Sequence, residues 1–110
     1  VLAGRHAHVP PTGADAAPWR VGVEDPRDRG RIVRVVPLTE GAVATSGTAA
    51  RGAHLHDPFS GQAVSRPGST TVVGTDLLWT DIWATALFVG GEQARAAFER
   101  EAPGWQAFDL

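Results

Sequence analysis

The chain of 110 residues contains neither cysteine nor lysine. Without cysteine there is no disulfide framework, although this absence does not decide the redox compartment. The basic residues, all arginine, number 10 against 12 acidic ones and form no stripe with interleaved aromatic residues, which disfavours nucleic-acid binding. The sequence also has no apolar run as long as a membrane span and no signal-peptide pattern.

The length suits one domain with a modest core and is too short for two. Residues 1–18, rich in glycine, proline, alanine and histidine, predict a loop. Residues 19–73 are strand-rich, and residues 75–101 predict two helices separated at Gly90 and Gly91. Strands followed by helices predict an α+β fold, in which a mostly antiparallel sheet has helices packed on one side.

Local patterns give more detailed expectations within these segments. Residues 31–38 and 42–45 are predicted to pair as an antiparallel hairpin, and residues 46–53 to form a loop. Thr75 or Asp76 is predicted to cap the first helix, residues 77–89, which is apolar nearly all round and therefore expected to be buried. Within that helix, Trp79 and Trp83 are expected to pack in the core; stacking on a flavin or adenine ring is the alternative.

Asp81 and Thr85 lie four residues apart in this apolar segment and so share one face of the predicted helix. A buried carboxylate is costly unless it is paired or bound to a metal, and oxygen ligands suit a hard cation such as Mg²⁺. The alternative is structural. Asp81 would be a first-turn residue whose negative charge is stabilised by the helix dipole, and Thr85 would donate a hydrogen bond to a backbone carbonyl of the preceding turn. The spacing alone does not separate the two interpretations.

Three sequence blocks, in order, resemble the ApbE family, the FAD:protein FMN transferases. They are residues 19–26, WRVGVEDP; residues 41–47, GAVATSG, with residues 54–61, HLHDPFSG; and residues 70–90, TTVVGTDLLWTDIWATALFVG. The resemblance implies a T-fold-like sheet. It covers only the C-terminal part of a longer family pattern, so residues 1–110 are expected to be part of a single, incomplete FMN-transferase-like domain.

The resemblance also implies an activity and a set of site residues. Asp81 and Thr85 match the family's metal-binding residues and are expected to hold Mg²⁺ beside the FAD diphosphate. Thr45, Ser46 and Gly47, interpreted as a short turn, are expected to contact the flavin nucleotide together with His54. His54 is also the candidate general base, because an imidazole titrates near neutral pH and can accept a hydroxyl proton; a structural histidine is the alternative.

The expected reaction moves FMN from FAD to a Thr or Ser hydroxyl of an acceptor protein and releases AMP. An FAD pyrophosphatase and a non-catalytic flavin-binding or interaction module are the alternatives. The latter is favoured by Thr48 and Ala49, where the family often has Asp-Tyr. A missing N-terminal half is the expected structural partner, and the fragment alone is expected to be inactive. By resemblance the location is extracytoplasmic or membrane-associated.

The other histidines suggest a different metal. His54 with His56, and His6 with His8, are His-x-His pairs of the kind that can bind zinc. Neither pair has a third and a fourth ligand at suitable spacing, so no zinc site is predicted.

Overall fold

Seven strands and one broken helical run form the described part of this computed structural model, residues 2–3, 6–9, 18–47 and 68–110. In chain order the elements are β1 Leu2–Ala3, β2 His6–Val9, β3 Trp19–Asp25, β4 Asp28–Leu38, β5 Gly41–Gly47, β6 Ser69–Gly74, α1 Leu77–Glu101 and β7 Gln106–Asp109. No described helix is long and apolar enough to cross a membrane.

The strands form two sheets. One has the order β1-β3-β4 and the other β2-β5-β6-β7. Every described pairing is antiparallel except β1 with β3. The predicted α+β class, with a mostly antiparallel sheet and helix packed on one side, is confirmed.

The four-stranded sheet is the central layer, because its two faces bury different partners. Ala44 of β5 and its neighbour Val72 of β6 pack under α1 with Ala84 and Leu87. Val43 and Val73, one position along each strand, face the other way and join the valines of the three-stranded sheet. This alternation follows from the period of two along a strand and gives three layers: helix, central sheet and outer sheet.

The prediction of a loop over residues 1–18 is wrong for the described part of that range. His6–Val9 pairs antiparallel with β5, in the register Ala7 to Val43 and Val9 to Gly41. Val9 is buried and Ala7 packs against the same valine cluster, while His6 and His8 are exposed on the opposite side. The alternation of exposed and buried side chains in His6–Val9 is only four residues long, and the turn-forming composition of the neighbouring residues 10–17 favoured the prediction of a loop.

The predicted hairpin between residues 31–38 and 42–45 is also wrong. β4 pairs instead with β3, and β5 joins the central sheet between β2 and β6. The change of sheet occurs at Gly41, which has φ 118° and where a Cβ would lie 2.5 Å from the Gly74 carbonyl oxygen. A residue without a side chain is therefore required where the chain crosses between sheets.

The helical run α1 begins at a clear cap. The Asp76 side chain accepts hydrogen bonds from the backbone N–H of Leu78 at 2.8 Å and of Trp79 at 3.4 Å, as predicted. The run is interrupted at Gly91, whose φ of 60° and ψ of −134° are not helical. The predicted break at Gly90 and Gly91 thus corresponds to a change of direction inside one helical run.

The expectation that the first half of α1 is buried all round is wrong. Thr80, Ala84, Leu87 and Phe88 are buried, but Leu78, Trp79 and Ile82 are 65%, 53% and 43% exposed. The central sheet covers one face of the helix, and no other described element covers the opposite one.

Candidate functional site

A hydrogen bond between two hydroxyl groups connects α1 with the central sheet. Ser46 Oγ on β5 lies 2.9 Å from Thr85 Oγ1 on α1. Ser46 is fully buried, whereas Thr85 is half-buried at the side of the helix. The strand alternation explains the contact, because residue 46 follows Ala44 on the face that packs under α1. The hydroxyl of Thr85 therefore contacts the central sheet from a helix position that is only half-buried.

Asp81 lies one helical turn before Thr85 on the same side of α1 and is half-buried. The alternative that Asp81 is a first-turn residue is not supported, because α1 begins at Leu77 and its first turn contains no acidic residue. No described residue donates a hydrogen bond to the Asp81 carboxylate or forms an ion pair with it. Asp81 and Thr85 thus present a charged oxygen and a neutral oxygen on consecutive turns.

The structural interpretation of residues 45–47 as a turn is wrong, since they form the end of β5 and pair with Ser69, Thr70 and Thr71 of β6. The Thr45 Oγ1 atom lies 2.7 Å from Thr71 Oγ1 on the face toward the outer sheet. The two hydroxyls of this segment therefore point to opposite faces. That of Thr45 bonds Thr71, and that of Ser46 bonds Thr85.

A second polar connection, not predicted from the sequence, lies beside Ser46. Thr70, its cross-strand neighbour, donates a hydrogen bond of 2.6 Å to Asp109 Oδ1 of β7. Asp109 Oδ2 in turn lies 3.8 Å from Arg95 Nη2 on the second half of α1. The only sequence signal was the run of hydroxyl residues at 69–71, within the segment that was predicted to be strand-rich.

Two further hydroxyls are buried without a hydrogen-bond partner among the described residues: Ser69 Oγ and Thr80 Oγ1. Together with Ser46, Thr70 and Thr71, they give β5, β6 and the first half of α1 five buried hydroxyl groups, an unusually polar set for a protein interior. Ser46 and Thr70 lie on the sheet face toward α1, whereas Ser69 and Thr71 lie on the face toward the outer sheet.

His54 and its neighbours, including His56, Thr48 and Ala49, lie outside the described residues. The segment that contains them, 48–67, connects Gly47 at the end of β5 with Gly68 before β6. Gly47 pairs with Ser69, so the described residues that flank this segment lie at the same end of the two inner strands, next to Ser46.

The two tryptophans of α1 have different environments. Trp83 packs against the helix-side core, and its ring lies edge-on to Phe98. Trp79 is more than half exposed, so its predicted place in the core is wrong. The N-terminal end of α1 turns Trp79 away from the sheet.

The donor atoms of Asp81 and Thr85 fit a hard divalent cation, which prefers oxygen ligands and retains several water or phosphate ligands. In the described part of the chain, no group of three or more histidine, cysteine, aspartate or glutamate residues could complete a metal site. A cation here would therefore need ligands beyond these side chains, such as water and the phosphate oxygens of a nucleotide. The donor set is unsuited to zinc, which prefers nitrogen and sulfur.

Comparisons with known proteins agree with the sequence blocks. The chain is 32% identical over 98 residues to a protein of Escherichia coli K12 named FAD:protein FMN transferase, covering 79% of this chain and 28% of that protein. A protein of the same name from Klebsiella pneumoniae is 31% identical over 97 residues, with coverages of 79% and 28%. The chain thus spans 28% of the length of these curated relatives. No solved structure gives a significant match.

The family comparison extends over almost the entire sequence. The model of the ApbE family matches residues 4–108, a range that includes β2 to β6, the helical run and each site residue described above except Asp109. Because the match covers almost the whole sequence and the relatives share one name, the chain belongs to the ApbE family.

Proposed function

We propose that this chain contributes to Mg²⁺-dependent transfer of FMN from FAD to a Thr or Ser hydroxyl of an acceptor protein, with release of AMP. One observation carries the proposal. The Thr85 hydroxyl is held by Ser46 at 2.9 Å, one turn after an Asp81 carboxylate that no described residue pairs. Two oxygen donors on one helix face suit a cation that also binds phosphate oxygens.

Asp81 and Thr85 would hold Mg²⁺ at the side of α1, and the cation would neutralise charge on the FAD diphosphate. The flavin nucleotide would lie against the end of β5 formed by Thr45, Ser46 and Gly47. His54, which lies outside the described residues, is proposed as the general base and as a further contact of the nucleotide.

In the proposed reaction, the acceptor hydroxyl oxygen forms a bond to the phosphorus of the FMN unit. The bond between that phosphorus and the bridging diphosphate oxygen breaks, and AMP leaves with the bonding electron pair. His54 accepts the hydroxyl proton. Asp81 and Thr85 make no covalent bond; their part is to fix the position of the diphosphate.

The chain's share of the relatives' length supports a further assignment. Residues 1–110 would be the C-terminal part of a single FMN-transferase-like domain, with the remaining ligands of FAD and of Mg²⁺ contributed by an N-terminal half. The exposed apolar residues Leu78, Trp79 and Ile82 are consistent with an uncovered surface of such a domain. The activity should therefore be measured on the complete gene product that contains this chain.

The test is to incubate the complete gene product with FAD, Mg²⁺ and an acceptor protein carrying a Thr or Ser modification site. Nucleotides are separated by chromatography, and covalent flavin is detected by in-gel fluorescence. Transfer predicts AMP in equal amount to flavin bound on the acceptor. AMP with free FMN would instead identify an FAD pyrophosphatase. FAD binding without AMP would identify a flavin-binding module and contradict the proposal.

A further inference from the structure

We infer that Ser46 is a positioning residue of the metal site: its hydroxyl oxygen accepts a hydrogen bond from the Thr85 hydroxyl and thereby turns a lone pair of Thr85 Oγ1 toward the cation. The inference rests on the proposed function. It changes the expected role of the Ser46 side chain from contact with the flavin to control of a metal ligand.

The first step is hydrogen-bond geometry. A threonine hydroxyl has one proton and two lone pairs. A hydroxyl that binds a cation through a lone pair must direct its proton elsewhere, and Ser46 Oγ, 2.9 Å away, is the recorded partner. In an ordinary helix Thr85 would instead bond back to a carbonyl of the preceding turn. Either hydroxyl could donate in this contact. If Thr85 donates to Ser46, its proton is no longer available to the carbonyl, and its lone pairs are left for a cation.

The second step concerns why position 46 carries a hydroxyl at all. Ala42 and Ala44 occupy the same face of β5 and are completely buried, as is Ser46. An alanine at 46 would therefore fit the packing and would avoid burying a polar group. The hydroxyl is explained by its bond to Thr85, since packing alone does not require it.

The same observations provide a clean variant. Ser46→Ala removes one oxygen from a buried strand position where alanine is already the neighbouring choice, so the protein should fold. Thr71→Val is the matched control, because it removes the Thr45–Thr71 hydroxyl pair on the opposite face of the same two strands. Thr71 is equally buried and lies on the sheet face that points away from α1.

The test is a double-mutant cycle on cation binding, with wild type, Ser46→Ala, Thr85→Ala and the double variant in the complete gene product. Mn²⁺ is titrated and followed by electron paramagnetic resonance, in the absence of turnover. Ser46→Ala should weaken Mn²⁺ binding about fivefold, the scale of one hydrogen bond. In the Thr85→Ala background, the same substitution should have no further effect. Thr71→Val should bind Mn²⁺ as wild type does.

The outcomes separate this inference from the proposed function. If wild type binds Mn²⁺ but the loss of Mn²⁺ affinity in the double variant equals the product of the two single losses, Ser46 acts independently of Thr85 and the inference is wrong. An unchanged Mn²⁺ affinity in Ser46→Ala, with weaker FAD binding measured without metal, would return Ser46 to the role of a flavin contact. If wild type binds no Mn²⁺ with or without FAD, the proposed metal site itself fails, and the inference fails with it.

Discussion

Trp83 and Phe98 lie on opposite sides of the break at Gly91, and their rings meet edge to face with centroids 5.3 Å apart and an interplanar angle of 74°. In a straight α-helix, residues fifteen apart would be separated by about 22 Å along the axis. The two halves of α1 therefore fold back toward each other at Gly91. The contact places both halves on the same face of the central sheet.

Gly91→Ala should destabilise the protein by about 1–3 kcal/mol. A Cβ at this position has open space, but φ 60° with ψ −134° is a conformation that residues other than glycine rarely adopt. The measurement is the free energy of unfolding by urea. Gln93→Ala, an exposed helical position, is the control and should change it by less than about 0.5 kcal/mol. Equal effects of the two substitutions would mean that the backbone conformation at position 91 does not require glycine.

The tryptophans provide a second stability test. Trp83→Ala should lower the free energy of unfolding by about 2–4 kcal/mol, because it removes an aromatic pair and leaves a cavity against Phe98. In residues 1–110 alone, Trp79→Ala should lower it by less than about 1 kcal/mol, since the side chain is 53% exposed. Similar losses for the two variants of this chain would contradict the exposed position of Trp79.

Local features of the fold were predictable from the sequence, because each depends on a few neighbouring residues. The Asp76 cap, the break near Gly91 and strands β3 and β6 follow from side-chain chemistry and alternation within short windows. Strand partners were not predictable in the same way. Residues 31–38 fit a hairpin with residues 42–45 as well as with β3, and the pattern of side chains along the strand does not distinguish the two partners.

For the candidate site, the helix period was enough to place Asp81 and Thr85 on one face. The bond from Thr85 to Ser46 was not predictable, because it joins residues separated by 39 positions. The same applies to the Thr70–Asp109 bond across β6 and β7. Both depend on strand register, which the pattern of side chains along each strand does not specify by itself.

The two donors of the proposed metal site should differ in importance. Asp81→Ala should abolish Mg²⁺-dependent AMP release, since it removes a full negative charge. Thr85→Ala should raise the Mg²⁺ concentration needed for half-maximal activity but retain turnover at saturating Mg²⁺. The measurement is AMP formation against Mg²⁺ concentration. Glu92→Gln, an exposed acid in the second half of α1, is the control and should leave the curve unchanged.

His54→Ala should slow FMN transfer about a hundredfold or more, the usual scale of general acid–base catalysis. FAD binding should change far less, because a base acts mainly in the transition state. Single-turnover kinetics and FAD titration measure the two effects separately. His8→Ala, an exposed histidine on β2, should behave as wild type. Unchanged turnover in His54→Ala would leave His54 a structural residue.

The most direct test of the metal-dependent transfer is the intact mass of the acceptor protein after incubation with FAD, Mg²⁺ and the complete gene product. We expect wild type to add one FMN unit to the acceptor. Neither Asp81→Ala nor wild type with a chelator in place of Mg²⁺ should add it. An acceptor modified equally by wild type and by Asp81→Ala would contradict the assignment of α1 as the metal-binding element of a flavin transferase.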